Sequence, residues 1–205
     1  MRERPISFSP DMVRAILEGR KTQTRRPVQL CDLMAIRRGD AEHYRGVPVT
    51  HTVERCLKDV GTAGLLELCP GLPGDRLWVK EPFREAGCTG VSAVGSGHVE
   101  MDADWLEYRA DGHSDNCKWK PAIRMKREDS RILLEITNVR VERLQDIEGK
   151  REDVIAEGFD PRQMTFTGLP LDFAETWNRL YAKRPGLQWA ANPWVWVIEF
   201  RRVEG

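Results

Sequence analysis

Charge of one sign is the first thing this chain lacks: 32 Lys and Arg balance 32 Asp and Glu over 205 residues. A global field toward nucleic acid is thereby excluded, and any such binding has to come from local patches. A paired Cys-x-x-Cys is also missing. The five cysteines (Cys31, Cys56, Cys69, Cys88, Cys117) are odd in number and widely spaced, which argues against a disulfide framework and fits a reduced, cytoplasmic protein with free thiols. No apolar stretch approaches the ~20 residues a membrane helix needs, and Met-Arg-Glu-Arg-Pro at the start has no apolar run of the secretory kind. Neither export nor membrane insertion is expected. With no Pro/Gly/Ser-rich linker, no long-period repeat and no low-complexity segment, residues 1–205 read as one domain with a sizeable core, interrupted by insertions at about 28–70 and 84–118.

What the chain does have is a concentrated stretch, Leu17-Glu18-Gly19-Arg20-Lys21-Thr22-Gln23-Thr24-Arg25-Arg26-Pro27. Gly19 is suited to the left-handed conformation that ends a helix, while Pro27 forbids both a helix across it and a regular central strand through it. The segment is therefore a short cationic run with hydroxyls, held at the end of an ordered element. Up to Val28 there are seven Lys/Arg against three Asp/Glu. Arg20, Arg25 and Arg26 are candidates for binding phosphate, with Thr22 beside them, and Lys21 next to Thr24 has the makings of an activated nucleophile. The same residues also describe a solvated basic turn.

Around this stretch the elements read in order. Ile6-Ser7-Phe8 is a short strand. Ser9-Pro10-Asp11 is an N-terminal helix signal, and Met12, Val13, Ile16 and Leu17 recur at helical spacing until Gly19. Past the turn at Pro73-Gly74-Asp75, Arg76 to Glu81 alternates, with Leu77 and Val79 facing one way and Trp78 and Lys80 the other. Ile132 to Val141 is the clearest strand; its apolar phase shifts at Asn138, predicting a bulge. Gln145 to Glu157 reads as a helix closed by Gly158, and Phe173, Trp177, Leu180 and Tyr181 define a second amphipathic helix whose aromatics are expected in the core. Pro193 to Phe200 is apolar on both faces, as a central strand is. Strands at both ends with helices between them predict an α+β fold, a small barrel or curved sheet closed by its terminal strand.

Four motifs, namely Ile16 to Arg25, Pro73 to Val79, Ala156-Glu157-Gly158-Phe159 and Asn192 to Phe200, agree in order and spacing with the ASCH family (activating signal cointegrator homology). The chain resembles the long bacteriophage and prophage members most. Residues 5 to 27, 73 to 83 and 119 to 201 carry the resemblance; the insertions do not. Where phage relatives often end one segment in His-Met-Pro, this chain has Arg124-Met125-Lys126. The resemblance implies a PUA-like small β-barrel with flanking helices, an association with RNA or modified nucleosides, and a cleft floored by the Gly-x-Lys-Thr-x-Thr segment. One branch, the bacterial N4-acetylcytidine amidohydrolases, uses a Lys, a Thr and a Glu, to which Lys21, Thr24 and Glu157 correspond here.

That trio suits amide cleavage. A threonine hydroxyl needs a base, and a lysine serves only with its pKa lowered, by burial or by neighbours such as Arg20, Arg25 and Arg26. Glu157 would then protonate the leaving amine or activate water. On a straight strand, however, positions 21 and 24 lie on opposite faces, so a turn at Thr22-Gln23 is required; a Lys21–Glu157 pair is equally consistent with an inert salt bridge. Three other readings stand beside hydrolysis of an N4-acylated cytidine: a non-catalytic RNA- or nucleotide-binding module with Trp78 or Trp119 stacking on a base, a ribonuclease, and a phage accessory factor binding a host protein. Cys88, His98, His113 and Cys117 are too irregularly spaced to assign a metal, His43 and His51 receive no role, and no cofactor is expected.

Overall fold

A computed structural model of the chain describes residues 1–28, 71–85, 106–112, 118–160, 162 and 173–203. It is an α+β fold with a five-stranded and a two-stranded sheet. Strands β1 (Glu3–Ser7), β2 (Gln23–Pro27), β3 (Arg76–Lys80), β6 (Leu133–Arg143) and β7 (Trp194–Val203) form the larger sheet in the order β1-β3-β6-β7-β2. The β1–β3 pair is parallel and the others are antiparallel. Strands β4 (Phe83–Glu85) and β5 (Leu106–Tyr108) make the smaller sheet. Most of both expected insertions lies outside the described residues. The second leaves from and returns to the β4–β5 ladder.

Local chemistry sets these elements. Helix α1 (Pro10–Leu17) starts at Ser9, whose hydroxyl accepts from Met12 N–H, with proline in the first turn. Edge strands β1 and β2 each carry a proline, Pro5 and Pro27, where a missing N–H breaks no interior ladder. The β6–β7 register shifts between Ile136 and Asn138, the bulge expected from the apolar phase change. Strand β7 lies between β6 and β2, and its alternate residues enter two cores. Trp196, Ile198 and Phe200 join Val13, Ile16, Leu77, Val79 and Leu134 on one side, while Val195 and Val197 join Leu144, Ile147, Val154 and Trp177 on the other. Burial on both faces is why this strand reads as an unbroken apolar run.

Three expectations change. The helix expected over Gln145 to Glu157 is two pieces, a 3-10 turn at Leu144–Ile147 and helix α2 (Arg151–Ala156). Glu148, with ψ 132°, takes the backbone out of the helical region. Leu180, placed by periodicity on the apolar stripe of helix α3 (Phe173–Tyr181), is 66% exposed. Among the described residues the sheet does not close into a barrel. It curls, nonetheless: Arg26 on one edge strand donates to Ser7 O on the other at 2.7 Å. No helix among the described residues is long and apolar enough to cross a membrane.

Candidate functional site

The ends of α1 and α2 place the two key side chains. At the end of α1, Gly19 N–H donates to Ile16 O and Arg20 N–H to Ala15 O, the paired bonds of a Schellman cap around a glycine at φ 74°. Lys21 N–H shares the Ala15 carbonyl, which fixes the start of its side chain. At the end of α2 the same cap recurs: Gly158 N–H donates to Ile155 O and Phe159 N–H to Val154 O, with Glu157 as the capping residue. The two ends are joined by Thr22, whose N–H donates to Ala156 O and whose carbonyl accepts from Phe200 N–H. Lys21 thus lies before β2 begins at Gln23. The opposite-face objection raised by its spacing from Thr24 falls away, because strand alternation does not reach it.

Gly158 meets two demands. Its φ is 92°, and a Cβ there would lie 3.1 Å from both Ala15 Cβ and Lys21 Cβ. Gly158→Ala is therefore expected to lower stability by about 1–3 kcal/mol through left-handed strain alone, with further loss from displacing Lys21. Chemical denaturation checks this, and a midpoint unchanged from wild type would sink it.

Lys21 is 3% exposed, Thr24 and Glu157 5% each and Arg25 4%. The Lys21 ammonium donates to Gln23 O and Glu157 O at 2.7 Å each and to Glu157 Oε2 at 3.2 Å. Burial pulls the Lys21 pKa below its ordinary value; Glu157 pulls it back up, and Arg26 and Arg25 push it down again. Arg25 is a clamp. Its Nη1 donates to Glu157 Oε1 at 3.0 Å, and its Nη2 to Asp153 Oδ2 at 2.8 Å and Glu142 Oε2 at 3.1 Å. Arg140 closes the network from β6, donating to Glu142, Asp153, Gln23 and Glu199. Glu142 is held below the usual carboxylate range: burial would raise it, but Arg140, Arg25 and Lys150 together outweigh that.

Lys21, Thr24 and Glu157 all line one cavity of about 340 Å³. Arg25 and Arg26 line it too, as do Phe159, Phe173, Trp177 and Tyr181 along the far wall. Among the described residues no hydrogen bond joins Thr24 Oγ1 to Lys21 Nζ or to any other side chain, and Thr24 is one of the residues lining the cavity. The other sequence candidates are elsewhere. Arg20 pairs with Glu18 and donates to Gly158 O outside the cavity lining, and the Thr22 side chain is exposed. Trp78 sits beneath Lys80 on β3 and Trp119 beneath Arg84, neither of them on the lining. Phe173, Trp177 and Tyr181 of this wall were expected as core only. Those three rings are indeed buried, and they also bound the cavity, a dual role that apolar periodicity cannot distinguish.

No group of His, Cys, Asp and Glu able to hold a metal ion occurs among the described residues; Cys88, His98, His113 and Cys117 lie outside them. Compared with known proteins, the chain matches no family model, no curated protein and no solved structure.

Proposed function

We propose that this is an ASCH-like amidohydrolase that cleaves the N4-acyl amide of an acylated cytidine, with Lys21, Thr24 and Glu157 as its catalytic residues. The observation that carries the reading is the convergence of all three on one cavity with an aromatic wall. Its volume falls in the range of small-molecule sites. The curled sheet, bridged edge to edge by Arg26, is compatible with a PUA-like barrel. A cytoplasmic protein of phage or prophage origin completes the same reading.

The chemistry starts from Lys21 as the neutral amine beside the Glu157 carboxylate, a form that the burial lowering the lysine pKa makes accessible. The amine takes the Thr24 hydroxyl proton as Oγ1 attacks the acyl carbon. The ammonium so formed passes this proton through Glu157 to N4 as the C–N bond breaks, releasing cytidine and leaving an acyl-threonine ester. Water then attacks the ester, giving one proton by way of Lys21 to Thr24 Oγ1, and frees the acid. Both catalytic groups end as they began, a neutral amine and a carboxylate.

A non-catalytic RNA- or nucleotide-binding module draws less support. Arg25 is committed to three carboxylates and Arg20 to Glu18, so two cations expected to grip phosphate are already paired. The test is incubation of the purified chain with N4-acetylcytidine, followed by chromatography for cytidine. Wild type is expected to form cytidine and Thr24→Ala, still folded, to form none. Absence of cytidine from wild type between neutral and alkaline pH overturns the reading. Salt-dependent RNA binding, lost in Arg20→Ala, would favour the module instead.

A further inference from the structure

Arg76, half-buried on β3 and off the cavity lining, has no carboxylate partner among the described residues and a buried Nε without a partner, but other buried and half-buried arginines are matched: Arg25 with Glu157, Glu142 and Asp153, Arg140 with Glu142, Asp153 and Glu199, and Arg131 with Glu81 and Asp111. Two cavity-lining arginines are not. Arg26 is half-buried, its one hydrogen bond goes to the neutral Ser7 carbonyl, and its Nε is buried with no partner at all. Arg179, on α3, makes a single hydrogen bond among the described residues, Nη2 to Thr176 Oγ1 at 3.4 Å. Neither has a carboxylate partner among the described residues, and both line the cavity that holds Lys21, Thr24 and Glu157. Two acids share this lining: Glu157, which is paired with Lys21 and Arg25, and Asp11, which is exposed and engaged by Arg14.

A half-buried guanidinium without a counter-charge, with an unsatisfied N–H, lacks what its position calls for. Arginine's planar fork matches the oxygens of a phosphate monoester, and the aromatic rings along the same cavity offer faces to a base. We infer that Arg26 and Arg179 form an anion subsite for the phosphate of a nucleoside monophosphate, so that the preferred substrate is an N4-acylated cytidine nucleotide and not the nucleoside. The naming of the acyl substrate rests on the amidohydrolase reading; the subsite itself does not.

Calorimetric titration of the full chain with cytidine, CMP and inorganic phosphate separates the two. CMP is expected to bind at least about tenfold more tightly than cytidine at low salt, with phosphate competing against it, and Arg179→Ala, a change at an exposed position, should remove most of that preference. Arg26→Lys, which keeps the charge and loses the fork, should weaken CMP more than cytidine. Equal affinity for CMP and cytidine, no measurable binding of CMP, or a preference that survives Arg179→Ala overturns the subsite. Hydrolysis supplies the second arm: kcat/KM for N4-acetyl-CMP should exceed that for N4-acetylcytidine by a similar factor. If neither amide is cleaved but CMP remains preferred, the amidohydrolase reading fails and the subsite stands. If both are cleaved equally and CMP binds no better, the subsite fails and the reading stands.

Discussion

Arg25→Ala is expected to lower the melting temperature by about 6–20 °C, from a loss of about 3–5 kcal/mol for breaking a buried ion pair in a chain of this size. The side chain is 1% exposed and lies among three carboxylates, Glu142, Asp153 and Glu157. Removing it leaves those acids beside one another with Arg140, Lys150 and Lys21 as their remaining close cations. Arg20→Ala provides the contrast: its ion pair with Glu18 is surface-exposed on both sides, so the change should cost less than about 1 kcal/mol. Adding Glu142→Gln to Arg25→Ala should recover part of the loss, because one unmatched charge goes with it. Arg25→Lys should fall between, since an ammonium cannot fork to several acids at once. Acid stability follows the same logic. Glu142 titrates below its ordinary 4.5 in the folded state, so its contribution is present above that value and lost as pH falls through the folded pKa. Without Arg25 that pKa rises, and acid unfolding should begin at higher pH. Thermal melts over a pH series measure both effects; a drop no larger than that of Arg20→Ala would remove the clamp from the account.

The contrast between Arg20 and Arg25 also marks where a linear reading stops. Capping and alternation were legible because they depend on neighbours in sequence. Ser9-Pro10-Asp11 starts α1, Gly19 ends it, Leu77 and Val79 turn inward, and the phase change at Asn138 is a bulge. The run Arg20 to Arg26 looks uniformly cationic in sequence. It divides in space because the acids that claim Arg25 come from β6 and α2, 117 to 132 positions further along. No local pattern encodes which cation will meet them. The closed barrel fails for a similar reason, since strand order and curvature are set by long-range pairing. The cavity wall is a subtler case. Phe173, Trp177 and Tyr181 face inward as their spacing requires, but the same apolar surface serves a packed core and a bounded hollow equally well. The Lys21–Thr24–Glu157 set was legible as a motif. Its convergence depended on Lys21 lying outside the strand, a fact carried by the hydrogen bonds of Lys21 and Thr22 and by no residue type.

Lys21→Ala is expected to reduce kcat for amide hydrolysis by about 10²–10⁴-fold, the usual worth of a positioned acid–base group. Loss of rate alone would not show that the amine acts as base, and the pH profile makes the distinction. Burial lowers the Lys21 pKa below its ordinary 10.5, so kcat/KM should rise with pH along a limb whose midpoint lies below that value, as the neutral amine becomes populated. Glu157 opposes the shift and Arg26 adds to it, which gives the two neighbours opposite predicted effects. Glu157→Gln should cut the rate while moving the limb to lower pH, because the anion that stabilises the ammonium is gone. Arg26→Gln should move it to higher pH. A lysine that merely anchors the fold would give neither displacement. Stability runs in parallel: with the folded pKa below the unfolded one, the unfolded chain binds more protons between them, and the Lys21 contribution becomes more favourable as pH rises through that window. Lys21→Met, which keeps the stem and removes the charge, should abolish this pH dependence while the chain stays folded. A wild-type profile with no ascending limb below 10.5, or one that Glu157→Gln leaves in place, would take the general-base role away from Lys21.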